Sequence, residues 1–170
     1  MAEDDLLATL VVEAEEAAIA MWAELGYPRK REAFNAALNA HPEWKIYLET
    51  GLHRMDGTTV YGSCYTADSE TWVACLRAGA TRWHQDFAFY HEVGHIMRGD
   101  SCQAGDADLV AHDDEITTPQ EVFADAFAHA TMRLVMYGAS AVPAATQHLP
   151  STATEPEALQ DFYRHLRGER

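Results

Sequence analysis

The hydrophobic positions at the start of the chain repeat with the period of an α-helix. From residue 5 to residue 25 apolar side chains recur every three or four positions with glutamates between them, and Gly26 and Pro28 follow. Residues 31–39 repeat this spacing over a shorter length. Because such spacing places side chains on one face of a helix, the pattern predicts two amphipathic helices in an N-terminal part that spans residues 1–42.

The next part of the chain has the composition of β-strands. Residues 44–52, 59–66 and 71–76 are rich in aromatic and β-branched side chains, and turn-forming residues lie between them at Asp56-Gly57 and at 67–69. β-Branched and aromatic side chains favour strands, whereas Asp, Gly and Ser favour turns. The pattern therefore predicts a small antiparallel sheet, built as a three-stranded meander.

Helical spacing returns twice in the second half of the chain. Residues 82–98 form one such stretch and residues 119–137 form the other. The second begins with Thr118 and Pro119, followed two residues later by Glu121, which is the pattern of an N-cap, a proline at the first helical position and a glutamate at the third. We therefore predict two further helices.

The remaining segments complete a single-domain organisation. Residues 100–115 are polar, acidic and aperiodic, which predicts a loop, and residues 139–170 predict a linker that ends in a short helix at 156–166. The prediction is one α+β domain over residues 1–170, in which small strands and helices pack together around a central part at residues 43–138.

Charge and composition narrow the classes of protein to which the chain can belong. Its 170 residues are 48% hydrophobic, which suffices for a core that needs no disulfide or metal to fold. Lys and Arg total 12 against 27 Asp and Glu, a formal charge of −15, which disfavours direct binding to nucleic acid. The N-terminus is acidic and no apolar run approaches the roughly 18 residues of a membrane span, so we expect a cytoplasmic protein that contacts no membrane.

The cysteines and the acidic stretch could each suggest a metal site, but the spacing of their residues does not support one. The three cysteines form no CxxC pair, so free thiols are expected at Cys64, Cys75 and Cys102. The acidic stretch at 100–115 lacks the DxDxDG order of a calcium loop and its glutamate at position twelve. It is therefore predicted to be a solvated loop, whose charge could select a basic substrate segment.

The strongest chemical signal lies within the predicted helix at residues 82–98, which contains His91-Glu92-Val93-Gly94-His95. Positions four apart stack on one face of a helix, so the two imidazoles can bind one ion, while Glu92 lies about 100° round the helix beside it. Two imidazole nitrogens on a rigid helix suit Zn²⁺ and leave positions for a third ligand and a water. The motif therefore predicts a zinc site with His91 and His95 as ligands and Glu92 as the catalytic residue.

A catalytic zinc normally has three protein ligands, so a third is expected downstream. Arg98 and Ser101 occupy the positions of the metzincin glycine and third histidine, which excludes that arrangement. The next helix carries Glu121 and, one turn later, Asp125. In the thermolysin-like ExxxD arrangement the glutamate binds the metal and the aspartate accepts a hydrogen bond from the first histidine. We therefore predict Glu121 as the third ligand and Asp125 as the residue that orients His91.

Each of these acidic residues has a structural alternative. Glu121 could instead close a capping box with Thr118, and Asp125 could serve only to compensate the helix dipole. His129 lies one further turn along the same face, where a structural histidine is expected, and its use as a ligand or as a group behind the ligands stays open.

Taken in order along the chain, these motifs follow a family pattern. A strand segment with Tyr61-Gly62 precedes Arg82 and residues 87–90, which lead into the histidine motif, and then come Ala124-Asp125 and Phe127-Ala128 after Glu121. The arrangement resembles the ImmA/IrrE family of metallopeptidases, whose pattern is HExGH followed by ExEANxFA, over about residues 44–137 of this chain. Three positions depart from the pattern: Phe123 replaces its second glutamate, Asp125 its asparagine, and Gly99 a histidine that many members have.

The resemblance implies a zincin-like fold, a cytoplasmic location and an endopeptidase of the HExxH gluzincin type. It implies Zn²⁺ as the cofactor, with His91, His95 and Glu121 as its ligands and Glu92 as the catalytic glutamate. Members of the family often cleave a DNA-binding repressor. The implied partner is therefore a protein or peptide substrate, such as a basic DNA-binding regulator inside the cell.

The predicted site has a defined chemistry. Zinc would acidify its bound water and polarise the scissile carbonyl, while Glu92 accepts the proton and passes it to the leaving amine. Two other functions stay open: an inactive interaction or sensor module on the zincin fold, and a metal hydrolase that does not act on peptides. Glu92 argues against the first, because a purely structural metal site needs no base. Five residues are open as the oxyanion donor: Tyr90, His84, His112, His129 and Tyr137.

Overall fold

The structure, a computed structural model, describes residues 3–42, 45–50, 62–66, 71–100 and 118–138. The α+β class and the positions of these helices and strands, predicted from the sequence, are confirmed. The acidic stretch after Asp100, the linker and the closing helix at 156–166 lie outside the described residues. In chain order the elements are α1 (Glu3–Glu24), α2 (Arg31–Ala40), β1 (Lys45–Thr50), β2 (Gly62–Thr66), β3 (Thr71–Leu76), α3 (Arg82–Arg98) and α4 (Pro119–Tyr137).

The prediction of an antiparallel meander is wrong, because the sheet is mixed. Its order is β1-β3-β2: β1 pairs with β3 in parallel, and β2 pairs with β3 antiparallel. The short connection at 67–70 suits a hairpin between β2 and β3. The longer segment 51–61 separates β1 from β2, and β1 lies at the opposite edge, where Ile46 joins the core beside α2.

One face of the sheet packs against the helices. Ile46, Cys64, Ala74 and Leu76 lie on this face and are buried in the core. Helix α3 lies across β2 and β3 on this face. Gly62 belongs to the same face, which brings it beneath α3.

Helix α4 is held between α1 and α3. Ala14 and Ala18 of α1 are fully buried, and small side chains of this kind allow helices to approach closely. An ion pair between Glu15 of α1 and Arg133 of α4, at 2.7 Å, closes the edge of this contact. On the other side of the core, Phe34 of α2 meets Tyr90 of α3 edge to face, with ring centroids 5.1 Å apart.

The contact between α3 and α4 is the closest helix approach that bears on the candidate site. A Cβ atom on Gly94 would lie 2.9 Å from the Cα of Ala124 and 3.3 Å from the carbonyl oxygen of that residue. Only a residue without a side chain fits at such a crossing. Since Gly94 lies between the two histidines and Ala124 between Glu121 and Asp125, this contact brings the four polar side chains together.

No helix in the part of the chain that the structure describes is both long enough and apolar enough to cross a membrane.

Candidate metal centre

The two histidines of α3 face each other across one helical turn. The Nε2 atoms of His91 and His95 are 2.9 Å apart, and the ring centroids are 4.7 Å apart with the planes nearly perpendicular. His91 is buried and His95 is partly exposed. Both Nε2 atoms therefore point to the same place on the surface of α3.

Glu121 of α4 reaches this place from the opposite side. Its Oε2 lies 3.4 Å from Nε2 of His91, and its Oε1 lies 3.4 Å from Nε2 of His95. The three residues form a group whose candidate ligand atoms all lie within 4.8 Å of one another. Ligand atoms bound to a tetrahedral zinc at about 2.0–2.1 Å are about 3.4 Å from each other. The two contacts of Glu121 have this spacing, while the two Nε2 atoms lie closer, and the group could hold a metal ion.

Glu121 takes part in the helix cap through its backbone alone. Thr118 is the N-cap residue of α4, and its hydroxyl oxygen accepts a hydrogen bond from the N–H of Glu121 at 3.3 Å. The Glu121 carboxylate turns to the histidines. The structure thus has the Thr118 half of a capping box, while the Glu121 carboxylate faces the histidines instead of the Thr118 amide.

Asp125 lies behind the first histidine. Its Oδ1 is 2.8 Å from Nδ1 of His91, on the side of the ring away from the candidate metal position. A proton on Nδ1 that is donated to a carboxylate leaves Nε2 with a free lone pair for a metal. The structure therefore shows the contact that the ExxxD spacing predicts, and it gives Asp125 a specific neighbour besides the helix dipole.

The electrostatics of the group favour a positive charge. Burial lowers the pKa of His91, but the hydrogen bonds with Asp125 and Glu121 outweigh burial and raise that pKa to about 10. Burial of Glu121 raises its pKa, and the hydrogen bonds with the two histidines more than reverse this and hold it well below its usual value. Two carboxylates thus surround one cationic position, which a proton can occupy as well as a divalent ion.

Glu92 points to the sheet side of the group. It is buried, with 7% of its surface exposed, and its Oε1 would lie only 2.8 Å from a Cβ atom on Gly62. Glycine in β2 therefore makes room for this carboxylate. Glycine inside a strand is a sequence signal for close approach of another group, and the Tyr61-Gly62 segment carries that signal, although Tyr61 lies outside the described residues.

The four described candidates for the oxyanion donor lie in different surroundings. Tyr90 is buried against Phe34, and His129 is buried beside Phe87. Burial raises the pKa of the Tyr90 hydroxyl and lowers that of His129 to about 4. His84 is a neighbour of the N-cap Thr81 at the start of α3, Tyr137 is exposed at the end of α4, and His112 lies outside the described residues.

Asp100 is a neighbour of the site that the sequence did not single out. Its Oδ2 lies 3.6 Å from Nδ1 of His95. The residue follows the helix-ending Gly99, and this position is the signal that could have identified it.

The described cysteines do not join the histidine group. Cys64 is buried and Cys75 is partly buried. Burial raises the pKa of Cys75, and the nearby Glu49 adds to the shift, so the thiol is held in its neutral form. Cys102 lies outside the described residues.

Comparisons of the chain with protein-family models, with curated proteins and with solved structures gave no match.

Proposed function

We propose that the protein is a zinc-dependent endopeptidase of the HExxH gluzincin type, with a zincin-like fold. The observation that carries the proposal is the convergence of His91, His95 and Glu121 on one position, with Glu92 next to them and outside that group. Two histidines and a glutamate form the ligand set of thermolysin-like enzymes, which keep a fourth position for water or substrate. The sequence resemblance to the ImmA/IrrE family supports the same assignment.

The proposed chemistry divides among the side chains by position. When bound, zinc supplies a Lewis acid that acidifies water and polarises the peptide carbonyl. Glu92 is the general base: its carboxylate takes a proton from the attacking water and delivers it to the leaving amine. Asp125 holds the His91 ring with Nε2 directed at the ion.

Strand β2 is a candidate binding edge for an extended peptide substrate. In the part of the chain that the structure describes, β2 pairs with β3 alone, so it is an edge strand with one row of backbone groups available. An extended peptide can pair with such an edge through main-chain hydrogen bonds. Because Gly62 of this strand adjoins Glu92, a peptide laid along β2 would pass beside the general base.

Charge supports a basic regulatory protein as the substrate. A chain with a formal charge of −15 attracts basic surfaces by long-range steering and repels nucleic acid. The resemblance implies a DNA-binding regulator as the cleaved protein. We propose such an intracellular regulator as the substrate.

The decisive experiment combines metal analysis with peptide cleavage. We expect one zinc per chain in the wild type, and cleavage of casein or a peptide library that Glu92→Gln abolishes without loss of zinc. His91→Ala and His95→Ala should lose the metal. Glu16→Gln, a matched change on the exposed face of α1, should alter neither property.

Each alternative function has its own outcome in this experiment. Zinc binding without cleavage of any peptide would favour an interaction or sensor module. Cleavage of small esters or amides but not of peptides, with the same dependence on Glu92, would favour another metal hydrolase. Equal zinc content in the wild type and in both histidine variants would refute the metal site altogether.

The substrate is tested with Glu92→Gln as a trap in cell extract at low and moderate salt. Capture of a basic helix-turn-helix protein that weakens with salt, and that the wild type cuts, would support the proposed substrate. Capture of acidic or extracellular proteins alone would contradict it.

A further inference from the structure

Asp100 lies directly after the last turn of α3, where the chain folds back on the second histidine. The helix ends in a Schellman motif. Gly99 adopts the left-handed conformation with φ of 71°, its N–H donates to the carbonyl oxygen of Ile96, and the N–H of Asp100 donates to that of His95, both at 3.0 Å. The backbone of Asp100 is thus anchored on the same residue that its side chain faces.

The motif explains why these two side chains meet. In a Schellman motif the residue after the left-handed glycine contacts the residue three positions inside the helix end, and this pair is usually apolar. Here the pair is Asp100 and His95, and Oδ2 of Asp100 lies 3.6 Å from Nδ1 of His95. The capping motif by itself does not need a carboxylate and an imidazole at these two positions, so the Asp100–His95 pair points to a further role.

The carboxylate oxygen that faces His95 is short of donors. Oδ2 of Asp100 is buried and has no hydrogen-bond partner within the described residues. Buried acceptors are normally satisfied, because leaving one unpaired costs free energy. Two donors lie just beyond hydrogen-bond length, Nδ1 of His95 and Nε of Arg98, each at 3.6 Å.

Metal binding at His95 would provide the missing donor. When Nε2 of His95 is a ligand, the ring proton lies on Nδ1, which is the atom that faces Asp100. The observed separation exceeds a typical hydrogen bond by about 0.7 Å, so the two groups must approach by that distance when the metal binds. Arg98 does not have to leave for this, since its guanidinium is also held over the ring of Phe123, 5.1 Å from the ring centroid.

We propose that Asp100 is the positioning residue for His95, as Asp125 is for His91. Each imidazole of the zinc site then donates its far N–H to a carboxylate, one from the end of α3 and one from α4. This inference rests on the proposed zinc site and adds to it a residue that neither the HExxH motif nor the ExxxD motif contains.

The first test is the zinc affinity of the purified full-length chain, measured by competition with a chromophoric chelator. Loss of a group that orients a metal-bound histidine typically weakens binding on the order of 10- to 100-fold. We expect this for Asp100→Ala and a smaller loss for Asp100→Asn, which keeps one acceptor oxygen. Arg98→Met removes the other neighbour of the carboxylate and should leave the affinity unchanged. Thermal unfolding shows whether each variant is folded, and Asp100→Asn carries the test if the alanine variant is not.

The second test reads the His95 ring directly by NMR of the zinc-loaded protein. The Nδ1 proton of His95 should be protected from solvent exchange in the wild type and become unprotected in Asp100→Ala, while that of His91 stays protected by Asp125. A structural role of Asp100 at the helix end would not change one ring proton selectively.

The outcomes separate this inference from the proposed function. Wild-type affinity in Asp100→Ala, or an equal loss in Arg98→Met, would overturn the inference and leave the zinc site standing. Zinc binding that depends on Asp100 without any peptide cleavage would support the inference and count against the peptidase. A wild-type chain that binds no zinc would overturn both.

Discussion

Replacement of Gly94 by alanine tests whether the close approach of α3 and α4 builds the proposed metal site. An added Cβ would lie 2.9 Å from the Cα of Ala124 and 3.3 Å from the Cβ of Phe127. Carbon atoms in contact are normally about 3.5–4.0 Å apart. The first of these neighbours is backbone, so no rotation of a side chain relieves the clash. The two helices must therefore separate by about 0.6 Å or more.

Two effects on stability oppose each other in Gly94→Ala. Overpacking of this kind typically costs about 1–3 kcal/mol, while replacing glycine by alanine inside a helix recovers about 1 kcal/mol. We expect a net loss of up to about 2 kcal/mol in the free energy of unfolding of the zinc-free protein. Unfolding is measured without zinc, because a bound metal would add its own contribution to stability.

The same substitution is expected to weaken zinc binding clearly, because metal coordination tolerates only small displacements of a ligand. Metal–ligand distances in sound sites hold to within about 0.2 Å, and a helix shift of about 0.6 Å moves Glu121 away from both histidines by more than that tolerance. Because the ligand is displaced and not removed, we expect zinc affinity to fall on the order of 10- to 100-fold, the range for misoriented ligands.

Gly26→Ala provides the matched control. Gly26 has φ of +79° and nothing within 4 Å of an added Cβ, so alanine there costs about 1–2 kcal/mol of backbone strain without a clash. The adjoining segment contacts the last turn of α4 through Arg29 and Val135, about 20 Å along the helix from Glu121. The control should lose stability and keep its zinc affinity. If Gly94→Ala binds zinc as tightly as Gly26→Ala does, the reasoning is refuted.

Three further predictions concern the groups around the metal position. Glu121→Gln should weaken zinc binding and preserve the helix cap, whereas Thr118→Ala should lower stability by about 1 kcal/mol and keep the zinc; full zinc affinity in Glu121→Gln would contradict the role of Glu121 as the third ligand. Asp125→Ala should weaken zinc binding on the order of 10- to 100-fold, less than removal of His91, and equal affinities for those two variants would contradict its orienting role. The raised pKa of His91, about 10 against an ordinary value of 6.5, means that its protonated form stabilises the metal-free protein below about pH 6.5, and that this contribution is lost as the pH rises through about 10. Zinc must displace this proton, so affinity should rise with pH over the same window. His91→Gln should remove the pH dependence of metal-free unfolding between about pH 6.5 and about pH 10 if the assignment is right.

Local chemistry determined most of the elements in the described residues. The Thr118-Pro119 start of α4 and the Gly99 end of α3 are caps that short-range hydrogen bonds specify, and α4 begins and α3 ends at the residues that the sequence predicts. The one-turn spacings of His91 with His95 and of Glu121 with Asp125 likewise follow from helix geometry alone. For this reason two pairs of site residues could be chosen before any contact between the helices was known.

Strand partners were decided by tertiary structure. The side chains of β1 identify it as a strand, and the alternation buries Ile46, but alternation does not specify which neighbour a strand pairs with. The parallel pairing of β1 with β3 depends on where α2 and the core hold β1. A pattern read along the chain contains no information on that position, and the meander prediction failed there.

The sequence by itself determined which residues can share a helix face, because that depends on a 3.6-residue period. Only the tertiary structure decided that the two faces meet, because the meeting depends on the space between Gly94 and Ala124. The same holds for Asp100. It begins an acidic stretch, so its residue type alone does not indicate a role, and only the left-handed turn at Gly99 brings it to His95. Residue types and periods are local properties of a chain, whereas the approach of two helices depends on every side chain between them.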